Sequence, residues 1–93
     1  MSQIAQIDNR WKLTGDVVVG NAKAILTASQ PFTITNNTMV DFENVNDVDT
    51  AAVSLILEWK RRAKKEDKVL TFVNLPANLT SLVALYGVED LIV

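Results

Sequence analysis

The stretch KVLTFVNL, Lys68 to Leu75, is apolar at odd and even positions alike. A strand of that pattern is covered on both faces, which places it inside a parallel sheet. Parallel neighbours need a crossover between them, normally a helix. The residues just upstream supply one: Ala52, Leu55, Ile56, Trp59 and Ala63 recur at helical spacing and predict a helix over about Thr50–Lys65. Lys60, Arg61, Lys64 and Lys65 lie off that face and crowd the last turns, where cations suit the negative end of the helix dipole. Glu58 and Arg62 are set for an i,i+4 ion pair. Pro76 ends the strand. Asn78 is then the expected N-cap of a helix over Leu79–Tyr86, with Gly87 as its C′ residue. Tyr86 is expected to pack, Trp59 to sit in the core, and the tail VEDLIV to form a final turn or edge strand.

Upstream the signals are weaker. Trp11 and Leu13 alternate with Lys12 and Thr14 as a half-buried strand would, and Asp8-Asn9-Arg10 is placed to turn the chain between two short strands. Gly15 and Asp16 interrupt the alternation and read as a break. A short helix is expected from about Asn21 to Ser29, stopped before Pro31. Thr38–Phe42 reads as a strand and Glu43–Asp49 as a polar, acidic loop. Strands, helix, strand, helix, strand, helix is the order of an α/β domain, and the 93 residues are expected to form one domain over 1–93.

Composition narrows the chemistry. The chain has no cysteine and no histidine, which removes thiolate catalysis, disulfides, the commonest general base and the commonest metal ligands. A net charge of −2 gives no reason to expect nucleic-acid binding. No phosphate-binding glycine motif occurs, so no cofactor is expected. The N-terminus lacks a signal-peptide pattern and no apolar run is long enough to span a bilayer. A cytoplasmic protein without direct membrane insertion is the expectation.

The segment that asks for a function is NVNDVDTAAVS, Asn44 to Ser54, where a threonine stands between acids and the start of the long helix. Thr50 or Asp49 is expected to cap that helix, and no Glu or Gln three residues on selects between them. Glu43, Asp47 and Asp49 lack the spacing and glycine turn of a Ca²⁺ loop and read as solvated charge. No base is at hand to make Thr50 a nucleophile. A phosphate there would meet the favourable helix N-terminus and the unfavourable charge of Asp47 and Asp49.

DVDTAA, followed by LEWKRRAKK and then LTFVNLPANLTSLVALYGVEDLI, resembles a STAS domain, the fold shared by sulfate-transporter domains and anti-sigma-factor antagonists. LEWKRRA together with FVNLP is similar, more narrowly, to the STAS subunits of phospholipid ABC transporters for maintenance of lipid asymmetry. The resemblance is strong over residues 38–92 and weak over 1–30. Ala52 stands where the family usually has glycine after its Asp-Ser/Thr-x. The resemblance implies a small mixed sheet of four to five strands with helices mostly on one face, and a non-enzymatic, protein-binding role. It further implies contact with an ABC ATPase subunit within a permease complex, peripheral to the inner membrane. Val48, Asp49, Thr50, Ala51 and Ser54 would centre that contact, Ser54 because it lies one helical turn after Thr50. The alternative it implies is an anti-sigma-factor antagonist, switched by a partner kinase that phosphorylates Thr50.

Overall fold

The computed structural model describes residues 3–88. Strands β1 (Ile4–Ile7) and β2 (Arg10–Val17) precede helix α1 (Ala22–Ser29). Strand β3 (Thr38–Val48), helix α2 (Thr50–Lys65), strand β4 (Leu70–Val73) and helix α3 (Ala77–Leu85) follow. The strands form one mixed sheet in the order β1-β2-β3-β4. β1 and β2 are antiparallel, whereas β2–β3 and β3–β4 are parallel, so α1 and α2 are the crossovers of two successive βαβ units. The α/β class, the element order and the predicted helical face of α2 all agree with the sequence reading.

β1 and β2 are joined through Asp8 and Asn9, with Ile7 paired to Arg10 and Asp8 at φ 55°. Asn9 then holds the start of β3: its carbonyl accepts from the Met39 amide at 2.9 Å and its side chain donates to the Asn37 carbonyl at 3.0 Å. One face of the sheet carries Trp11, Leu13, Val40, Phe42 and Leu70, which share a single core with Ile25 of α1, Ala52, Ile56 and Trp59 of α2, and Leu79 of α3. Trp11 meets Phe32 and Trp59 edge-on, with ring centroids 5.3 and 5.8 Å away, in the geometry that aromatic quadrupoles favour.

Several expectations need correction. Glu43–Asp49 is not a loop; β3 runs through it to Val48. The register explains why the pattern misleads. Between the pairs Lys12–Asp41 and Thr14–Asn44, and again between Gly15–Val45 and Val17–Val48, β3 advances one residue more than β2. Each bulge breaks strict alternation, so the buried residues Phe42, Val45 and Val48 fall three apart instead of two. Gly15 does not end β2 but lies within it, at φ 76°, beside these irregularities. The side chain of Gln3 seals the bend, donating to the carbonyls of Thr14 and Asp16 at 3.0 and 2.8 Å.

β4 is the outermost of the described strands, beside β3; it is shorter than expected, and only Leu70 is fully buried. Its apolar residues on the second face, such as Val73, are half-buried. The residue at the N-cap of α3 is Pro76, not Asn78, although Gly87 does take the left-handed C′ conformation at φ 66°. Tyr86 is more than half exposed and does not pack as expected. Glu58 pairs with Arg61 and Arg62 with Glu66, replacing the anticipated Glu58–Arg62 pair. Arg62 is drawn away because its guanidinium lies over the Trp11 ring, 5.6 Å from the centroid, and donates to the carbonyls of Ser29 and Phe32. All but Val88 of the tail expected to form a last turn or edge strand lies outside the described residues.

Candidate functional site

The parallel strands β2 and β3 end together, and both α1 and α2 begin just beyond their carboxyl ends. Asp49 binds these two starts to each other. One carboxylate oxygen accepts from the Ala51 amide at 2.8 Å, so Asp49 is the N-cap of α2. The other accepts from the Val19 amide at 3.0 Å in the connection ahead of α1. Its own amide donates to the Val17 carbonyl at 3.3 Å. Asn21 ties the same connection from the far side, accepting from the Val18 amide and donating to the Asp16 carbonyl and to Gln3.

Capping by Asp49 releases Thr50. It is the first helical residue, exposed, and its hydroxyl has no partner among the described residues. Ser54, one turn on, is likewise exposed. Both hydroxyls line an open groove of about 360 Å³ between α1 and α2, with Ala51, Leu55 and Glu58 on the same wall. Val19, Ala22, Lys23 and Leu26 form the other wall. The floor is therefore apolar, with two hydroxyls and one charge of each sign around it. Val19 is 79% exposed, an unusual position for a large apolar side chain that nothing in the fold requires there.

The site residues named from sequence thus separate. Thr50, Ala51 and Ser54 are brought together on the groove, and Asp49 stands behind them as the cap. Val48 is 8% exposed and belongs to the core, leaving it almost no surface to offer. Val19, Lys23 and Leu26 had escaped notice because they lie some thirty positions upstream and only the crossover brings them here. The one local hint was that the run Val17-Val18-Val19 continues past the strand it fills. Glu43 and Asp47 remain exposed and form no group able to hold a metal ion among the described residues.

The Asp49 cap predicts that Asp49→Ala will lose about 1–2 kcal/mol in urea unfolding, since it frees two amides from different segments. Thr50→Ala should change stability by well under that amount, because its hydroxyl caps nothing.

A family model described as Mlab, STAS domain, matches residues 2–93. The chain belongs to this STAS-domain family. Among solved structures it is similar to the anti-sigma factor antagonist SpoIIAA in its unphosphorylated form, with a TM-score of 0.71 at 16% identity over 98% of this chain and 84% of that one. A putative anti-sigma factor antagonist from Thermotoga maritima gives a TM-score of 0.74 at 11% identity, covering 96% and 80% of the respective chains. At these identities the two structures establish the fold. No curated protein matches the sequence. STAS domains are in general binding and regulatory modules that mediate protein–protein interaction, not enzymes. No helix among the described residues of this one is long and apolar enough to cross a membrane.

Proposed function

We propose that this STAS domain is a non-catalytic accessory subunit that binds the ATPase of a phospholipid-transporting ABC system through the groove between α1 and α2. The observation that carries the reading is the pairing of Mlab-family membership with an exposed, apolar-floored groove at Thr50 and Ser54, whose hydroxyls the fold itself does not use. Val19 and Leu26 offer apolar area to a partner, while Lys23 and Glu58 set its orientation by charge. Bound in this way, the domain would work on the cytoplasmic side of the membrane and be held there through its partner.

A second reading rests on Thr50 itself. An exposed, unpartnered hydroxyl at the first residue of a helix is open to a kinase, and both solved neighbours are described as anti-sigma factor antagonists. Phosphate at Thr50 would add roughly two negative charges beside Asp49 and across an apolar groove, and would weaken any contact shaped to a hydroxyl.

Capture of partners by tagged protein from gently solubilised native cells separates the two. Wild type should retain an ABC ATPase with its permease. Thr50→Ala combined with Ser54→Arg should retain on the order of a hundredfold less, as for loss of a buried interface centre, at an unchanged melting temperature. Retention of a soluble kinase instead, with phosphate found on Thr50, would establish the switch. Equal capture of the ATPase by the variant would remove the groove from the contact.

A further inference from the structure

Positive charge is segregated in this chain. Lys60, Arg61, Arg62, Lys64, Lys65 and Lys68 are six of its nine lysines and arginines, and only Glu66 and Asp67 stand among them. Residues 60–68 therefore carry +4 in a chain of net −2. The arginines are engaged, Arg61 by Glu58, and Arg62 by Glu66 and two backbone carbonyls. Lys60 lies over the Phe72 ring, 5.8 Å from its centroid. Lys64, Lys65 and Lys68 are exposed and have no ion pair among the described residues.

The end of α2 holds these three together. Asp67 turns the chain at φ 57°, the Lys68 amide donates to the Ala63 carbonyl at 2.9 Å, and the Asp67 amide to the Lys64 carbonyl at 3.1 Å. Val69 follows, its amide fixed by Asn36 at 3.1 Å and its side chain 59% exposed. The helix dipole accounts for Lys64 and Lys65 in the last turn. It does not account for Lys68, beyond the helix, or for an exposed valine among lysines.

We propose that this end of the domain seats on an anionic bilayer surface, with Lys64, Lys65 and Lys68 among the headgroup phosphates and Val69 at the acyl boundary. Lysine ammoniums are mobile point charges and lack the fork that fixes a carboxylate, which suits a fluid array of phosphates better than one acidic peptide. Basic clusters of this size on a helix bind anionic membranes, and a single such signal gives weak, reversible attachment. Along α2 the groove spans Thr50 to Glu58, so its Thr50 end lies about 21 Å and its near edge about 9 Å from Lys64. The inference does not depend on which partner the groove takes.

Co-sedimentation of the purified protein with vesicles tests it. Mixed phosphatidylglycerol–phosphatidylcholine vesicles should retain the protein at low salt and release it as salt rises, and phosphatidylcholine alone should not retain it. The variant Lys64→Gln/Lys65→Gln/Lys68→Gln should bind on the order of a hundredfold more weakly, and Lys68→Gln alone, outside the helix, about fivefold. Unchanged binding by Lys68→Gln and the triple variant would overturn the proposal, as would equal retention by the two kinds of vesicle. Capture by soluble polyglutamate without retention on vesicles would overturn it in favour of an acidic protein.

Discussion

Trp59→Ala should lose about 3–5 kcal/mol of stability, a large part of what a domain of this size possesses. The indole is fully buried, meets Trp11 edge-on at 5.8 Å, and donates from Nε1 to the Ser29 hydroxyl at 2.9 Å. Ser29 is itself fully buried at the end of α1, and its hydroxyl donates onward to the Leu26 carbonyl at 2.7 Å. Trp59 is thus both the largest part of the α2 face and, beside Arg62, a polar link from α2 to α1. Truncation leaves a cavity and at once takes from the Ser29 hydroxyl the hydrogen bond it accepts. A melting temperature lower by more than about 12 °C is the expected readout. Trp59→Phe keeps most of the volume, so its smaller loss reports mainly the hydrogen bond, about 1 kcal/mol plus the residual cavity. A Trp59→Ala protein that melts within a few degrees of wild type would contradict this account of the core.

Asp41→Ala is expected to cost about 2–3 kcal/mol, from loss of hydrogen bonds to a charged group. Asp41 is 2% exposed on β3. Burial alone would raise its carboxyl, but hydrogen bonds from Asn74, the Glu43 amide and Arg10, together with the Arg10 charge, outweigh that and hold it below the ordinary value. Arg10 donates at 2.8 Å, and Asn74, in the left-handed region at φ 58°, donates at 2.9 Å. Arg10 remains partly in water when the carboxylate goes, which keeps the cost below that of breaking a fully buried pair. A folded value below the unfolded one means that the unfolded chain binds the extra proton. The stabilisation is present above the unfolded carboxylate value and is lost as pH falls through the lower, folded value. Urea titrations of wild type should therefore show stability falling on acidification, and Asp41→Asn should show a shallower acid limb from a lower plateau. Parallel acid limbs for the two proteins would exclude Asp41 as the source.

The elements that were legible in sequence are those with an uninterrupted backbone period or a purely local turn. α2 was recovered because its buried stripe, Ala52, Leu55, Ile56, Trp59 and Ala63, lies on one side of an uninterrupted helix and so keeps the helical period, although the sheet, α1 and α3 all pack against it. The β1–β2 turn was recovered because a turn is local chemistry. The second half of β3 was missed because its register to β2 slips at two places, and the bulges replace period two by period three. β4 is apolar at odd and even positions alike, yet among the described residues its second face is only half-covered, a difference that depends on neighbours and not on composition.

The same division holds at the site. Apolar spacing and residue types determined that this chain is an α/β domain with a long amphipathic helix, and that a threonine stands near its start. Which residue caps that helix was open in sequence, since both aspartate and threonine can accept the amide. The position of the Val19 amide decided it, because only the two-oxygen carboxylate of Asp49 can serve two segments at once. That Val19, Lys23 and Leu26 face Thr50 and Ser54 was likewise decided by the crossover. A parallel sheet aligns the carboxyl ends of strands far apart in the chain, and the walls of a groove there come from segments with no local reason to resemble each other.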